Sequence, residues 1–320
     1  MRSGDPVCVD PRSACDLGTT LTIEKKSIVT MPGDYYELRG WDKMIIDTHT
    51  HFYDPSRPQG VPWPPPENTL LYRTVLPDDY KALAVPEGVG GTVVVEASAW
   101  LEDNQWVLDL AAGDPLIVGL VGHIEPGRDE FAAELDHYAG NPIFRGIRCG
   151  PAHLRNVRRQ SFLADMERLS AKGLALDVLV HKPVDSVLAL ASSLPELRIV
   201  VDHIAHMPID GQALDPEWLE IYRRMSEHPR LYVKVSALME MSTMQPAPDD
   251  VGYYRPILDA LWKTFGEDRL IYGSNWPVCE RAGDFASGIR MVKAYLSEKG
   301  GTAHEKFFWR NAEAVYGIGR

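Results

Sequence analysis

Ile45-Ile46-Asp47-Thr48-His49-Thr50-His51 begins as an apolar strand and ends in side chains that bind oxygen or metal. The same design recurs along the chain. Met44–Thr48 is followed by Thr92–Ala97, Leu116–His123, Ile143–Arg148, Ala175–His181, Arg198–His203, Leu231–Ser236 and Arg269–Ser274, each an apolar run closing on polar groups. Helical patterns lie between them at Asn104–Ala112, Arg128–His137, Gln160–Lys172, Asp185–Ser193, Asp215–Glu227, Arg255–Phe265 and Ala282–Glu298. Val/Ile/Leu-rich strands alternating with helices indicate parallel strands covered on both faces, hence an α/β fold. Eight repeats over about 250 residues suit a (β/α)8 TIM-like barrel better than an open doubly wound sheet. No Gly-x-Gly-x-x-Gly turn follows the first strand, which removes the main sequence support for a nucleotide cofactor.

The chain has 320 residues, enough for one barrel, with residues 1–42 expected as an N-terminal extension and 43–320 as a single domain. Its net charge of −12 leaves no cation surplus for phosphates, so nucleic acid is not an expected partner. Four scattered cysteines form no disulfide framework, and Cys8 and Cys15 read as free thiols. No stretch approaches a membrane span or a signal peptide, so the expectation is a cytoplasmic protein with no membrane partner. Self-association into a homo-oligomer stays open. The Pro-rich segment Tyr53–Asn68 reads as a stiff rim over the barrel mouth or a plain surface loop, and Met239–Asp250 as an opposite rim.

Polar groups at the C-terminal ends of barrel strands converge on one mouth. Read in order, those ends carry His49 and His51, Glu96, His123, Arg148, His181, His203, Lys234 and Ser236, and Asn275. His49 and His51, two apart on a strand, point to one face, where neutral imidazoles can hold a metal or a substrate oxygen. Arg148 offers a guanidinium fork for a carboxylate or carbonyl, its alternative being an ion pair with Glu96 or Asp202. Lys234 reads as a structural ion pair. His206, His137, His153, His228 and His304 read as surface residues.

Asp47-Thr-His49-Thr-His51-Phe52, Gly146-Ile-Arg148, Val201-Asp202-His203 with Pro208, Val233-Lys234-Val-Ser236 and Gly273-Ser274-Asn275-Trp276-Pro277 together resemble the amidohydrolase superfamily, in its lactone-hydrolase branch. The resemblance spans residues 43 to 318. It implies a hydrolase of carbohydrate metabolism that opens a small lactone by water attack. His49, His51, His203 and position 275 would be catalytic, with Glu96, Arg148, His181 and Trp276 around the substrate. It also implies either no required cofactor or one divalent ion, zinc by preference, on His49, His51 and His203. At position 275 the family pattern has an aspartate that activates water, and an asparagine amide cannot act as that base. Three readings follow: an inactivated hydrolase of low activity that Asn275→Asp would revive, a ligand-binding pseudoenzyme, or an enzyme whose base stands elsewhere. A metal-dependent decarboxylase of the same superfamily is the alternative activity.

Overall fold

In the computed structural model, which describes residues 44–319, eight parallel strands pair in sequence order. They are β1 (Ile45–Thr50), β2 (Val89–Val95), β3 (Ile117–Gly122), β4 (Phe144–Cys149), β5 (Ala175–Val178), β6 (Arg198–Val201), β7 (Leu231–Val235) and β8 (Leu270–Tyr272). Just past β8 the Asn275 N–H donates to the His49 carbonyl and the His51 N–H to the Trp276 carbonyl, both at 2.9 Å, so the first strand meets the end of the last. The expected (β/α)8 barrel is the observed one. The expectations for residues 1–42, including Cys8 and Cys15, lie outside the described residues.

Helices α1 (Pro77–Ala84), α2 (Leu101–Gly113), α3 (Phe131–Ala139), α4 (Pro151–Leu154), α5 (Gln160–Ala171), α6 (Asp185–Ser193), α7 (Pro216–Ser226), α8 (Val251–Phe265) and α9 (Phe285–Leu296) follow the strands around the outside. Three of them begin on aspartate caps: the Asp215, Asp250 and Asp284 carboxylates accept from the N–H groups of Glu217, Gly252 and Ser287. Each bond satisfies a donor that the first helical turn leaves unpaired. The strands' outward residues and the helices' inner faces form one large core. No helix among the described residues is long and apolar enough to cross a membrane.

The barrel interior is layered. Ile46, Val93, Val95, Val121, Ala175, Val200 and Ile271 form an apolar floor. Below it lies the chain's last segment, α10 (Gly301–Glu305), a π-helical turn at Lys306–Arg310 and α11 (Asn311–Tyr316), whose Ala312, Val315 and Tyr316 join the same cluster. Asn311 ties this segment to the sheet by donating to the Glu267 and Leu270 carbonyls at 2.7 and 2.9 Å. Above the floor the interior turns ionic. Lys234, fully buried, donates to Asp177 Oδ2 at 2.5 Å and to His49 Nδ1 at 3.1 Å, and stands 3.1 Å from Asp202 Oδ1. Tyr316 reaches up from α11 to donate to both Asp177 oxygens at 3.0 and 3.1 Å.

Candidate active site

Each mouth residue is placed by a strand end or the turn after it. On β1 the pairing register with β2 slips between Asp47 and Thr50, the stretch that carries His49. Asp47 anchors that stretch, accepting from the backbone N–H of His49 at 3.1 Å and of Ser274 at 2.8 Å and from the Tyr80 hydroxyl at 2.6 Å. After β6 the chain makes a left-handed turn in which His203, Ile204, Ala205 and His206 have φ of 52°, 50°, 58° and 57°. Left-handed backbone costs an ordinary residue about 1–2 kcal/mol. Three side-chain bonds hold this turn: Tyr222 donates to the Ile204 carbonyl at 2.9 Å, His203 Nδ1 pairs with the Ser236 hydroxyl at 2.8 Å, and His206 Nδ1 with the Val180 carbonyl at 3.1 Å. Such strain, held from outside, concentrates at functional sites.

A cavity of about 850 Å³ opens at this mouth. Its walls include His51, Arg148, His203, His206, Glu240 and Asn275, with Trp63 and Pro62 from the Pro-rich loop at its rim. His49 lies beneath, its ring centroid 4.9 Å from that of His51 and 4.4 Å from that of His203. Burial holds His49 and His203 well below the usual histidine range, and the Lys234 ammonium adds to the effect on His49. Burial and then the Arg148 charge bring His51 down to about 4. All three imidazoles are therefore neutral at neutral pH. His49 Nδ1 lies between the Lys234 ammonium at 3.1 Å, which donates, and Asp202 Oδ1 at 3.4 Å, while Nε2 points away from both. That Nε2 is buried without a hydrogen-bond partner.

Arg148 donates through Nε to Glu96 Oε1 at 3.1 Å and through Nη2 to the Glu96 carbonyl at 3.0 Å. The ion pair is with Glu96, not Asp202, and the guanidinium also lines the cavity. Glu96 also stands 2.9 Å from His123 Nδ1; burial works against the charged ring, yet this carboxylate raises its pKa. Burial likewise disfavours the Asp202 charge, but the Lys234 ammonium keeps that carboxyl well below its usual range. Burial lifts Asp177 to about 6 against the pull of the same ammonium.

Several residues are placed differently from the sequence reading. His181 is exposed and does not line the cavity; its ring is tilted against that of His206 at 4.2 Å, and His206, expected at the surface, stands in the wall. The backbone after Val201 turns left-handed, and that carries His206 back over the mouth. Trp276, expected beside the substrate, is buried against Phe52 and Tyr80, with its indole N–H on Glu280. Among the described residues His49, Asp202 and His203 bring ligand atoms within 4.8 Å of one another, and the His51 ring lies beside them, 4.9 Å from that of His49. Neutral imidazoles, a carboxylate and an orphaned His49 Nε2 fit a divalent ion in donor type. Coordination through that nitrogen would put the ring's proton on Nδ1, 3.4 Å from Asp202 Oδ1.

Glu240 was not singled out from the sequence, although it lies within the loop read as a rim. It lines the cavity and accepts from Asn275 Nδ2 at 2.9 Å. Burial pushes its carboxyl up to about 7, against the lowering effect of that bond. Asn275 lines the cavity together with His51.

The model of the amidohydrolase family matches residues 46–318. The chain belongs to this family. An L-fucono-1,5-lactonase of Burkholderia ambifaria is 32% identical over 249 residues, covering 75% of this chain and 82% of its own. An L-fucono-1,5-lactonase of Burkholderia multivorans is 26% identical over 281 residues, covering 84% and 94%. Among solved structures, an amidohydrolase of Burkholderia multivorans with bound zinc has a TM-score of 0.75 at 24% identity, covering 86% of this amidohydrolase and 99% of that chain. At that identity the likeness bears on the fold alone.

Proposed function

We propose that this amidohydrolase opens a small lactone, of the sugar-lactone class, by water attack on its carbonyl. The observation that carries the reading is the neutral histidine cluster under a roomy polar cavity, with His49 Nε2 unpartnered beside His51 and His203. A neutral N–H donor that already has its orientation stabilises the oxyanion of a tetrahedral intermediate without reorganising. Lys234 orients the His49 ring, and Ser236 holds the His203 ring. Arg148, fixed by Glu96, takes the substrate's hydroxyl or carboxylate oxygens, and Trp63 offers an apolar wall to a sugar ring. The 32% identity to an L-fucono-1,5-lactonase supports this substrate class. His49, Asp202 and His203 would hold a divalent ion, and such an ion, when bound, polarises a carbonyl as a Lewis acid.

The test is hydrolysis of a panel of 1,4- and 1,5-sugar lactones, followed by acid release in a weak buffer with a pH indicator. At least one lactone should open well above its spontaneous rate, and His203→Asn should lower kcat by about 10²–10³-fold, the usual cost of a lost oxyanion donor or its support. A panel on which the unmodified chain matches the buffer blank would refute the lactonase reading.

A further inference from the structure

We propose that Glu240 is the base that activates water in this chain, with Asn275 as the residue that positions it. The inference rests on the lactonase reading and deepens it. Strand eight ends in an amide where the family pattern puts a carboxylate, and a carboxylate stands one hydrogen bond away, on the loop after strand seven. Asn275 Nδ2 donates to Glu240 Oε1 at 2.9 Å, and both residues line the cavity that holds His51, Arg148 and His203. An aspartate at 275 would bring a second carboxylate to that distance, and two carboxylates so close cannot both ionise. The amide removes the conflict, since it donates to Glu240 and carries no charge of its own.

The groups facing Glu240 are the Asn275 amide, the Arg281 guanidinium, Tyr254, Tyr272 and Cys279. Among them only Arg281 is cationic, and burial dominates, so the carboxyl titrates at about 7. A base of that strength abstracts protons well at neutral pH while a useful fraction is ionised. In the step proposed, the water oxygen forms a bond to the lactone carbonyl carbon as Glu240 takes its proton. The carbonyl π pair moves to the oxygen, which faces the His51 and His203 rings in the cavity wall. Collapse then breaks the ring C–O bond, and the Glu240 proton passes to the leaving alkoxide, giving the open hydroxy acid.

The experiment compares the unmodified chain with Glu240→Gln and Asn275→Asp on whichever lactone of the panel is opened. Glu240→Gln should lower kcat by about 10²–10⁴-fold with KM changed less than about threefold, the loss typical of a missing general base. The acid limb of the kcat/KM profile, near pH 7 in the unmodified chain, should vanish from the residual activity. Asn275→Asp should move that limb upward, and this measurement decides the matter if Glu240→Gln does not fold. A Glu240→Gln variant within threefold of the unmodified kcat, or an Asn275→Asp variant whose limb stays in place, overturns the assignment to Glu240 and leaves the lactonase reading standing. Inactivity of the unmodified chain on every lactone overturns both.

Discussion

Replacing Lys234 with methionine tests whether the ionic layer beneath the site is structural. The side chain fits by volume, but the ammonium between Asp177 (2.5 Å), Asp202 (3.1 Å) and His49 (3.1 Å) is lost. All four residues are fully buried, so water cannot take its place. Breaking a buried ion pair from one side costs about 3–5 kcal/mol. At about 2 °C per kcal/mol for a domain of this size, the thermal midpoint should fall by roughly 6–10 °C at pH 8. The sign of the pH dependence follows from the two carboxyls. Asp202 has a depressed native pKa because of Lys234, so its stabilising contribution is full above the unfolded value near 4 and is lost as pH falls through the native value. Asp177, raised to about 6, already favours its protonated form in the native state and is most stabilising at low pH. Without the ammonium, acid relieves the crowded carboxylates, so the deficit should shrink between pH 8 and pH 5.5. Calorimetry at the two pH values measures both quantities. A shift below about 2 °C at pH 8, or a deficit that grows on acidification, would refute the reasoning.

Two further substitutions probe the site and its scaffold. Arg148→Gln removes the charged donor that Glu96 holds at the cavity, and a hydrogen bond from a charged group is worth about 1.5–3 kcal/mol; kcat/KM should fall by about 10–100-fold, and an unchanged value would exclude Arg148 from the substrate. Gly146→Ala puts a Cβ 2.3 Å from the Ala175 carbonyl oxygen on the neighbouring strand; overpacking against backbone should cost about 3 kcal/mol, measured as a denaturation midpoint, and a neutral variant would disprove the close approach.

All eight strands were legible because their apolar runs are buried on both faces, and the observed bounds differ mainly at the ends. Strand β2 is the instructive case. It begins at Val89, before the expected Thr92, and the intervening Gly90 and Gly91 mask it, since glycine argues against a strand interior. Both are small because of neighbours: a Cβ on Gly90 would meet Met44 Sδ at 2.2 Å, and one on Gly91 would meet Val118 at 3.1 Å. Helix α1 escaped notice because eight residues give too few turns for a periodic signal. At the site, His49, His51, Arg148 and His203 were legible because strand ends are fixed by the barrel. The exchange of His181 for His206 was not, as nothing in Asp202-His-Ile-Ala-His206 announces four left-handed residues in a row. Glu240 was hidden for a related reason. It follows β7 in an irregular loop, and only its pairing with Asn275, 35 positions away, gives it meaning.

The last helix has a consequence in time as well as in space. Tyr316 bonds Asp177, Asp177 bonds Lys234, and Lys234 bonds His49. During synthesis the first strand leaves the ribosome long before residue 316 does. The buried run of bonds that orients the histidine on that strand is therefore complete only once the final turn has docked.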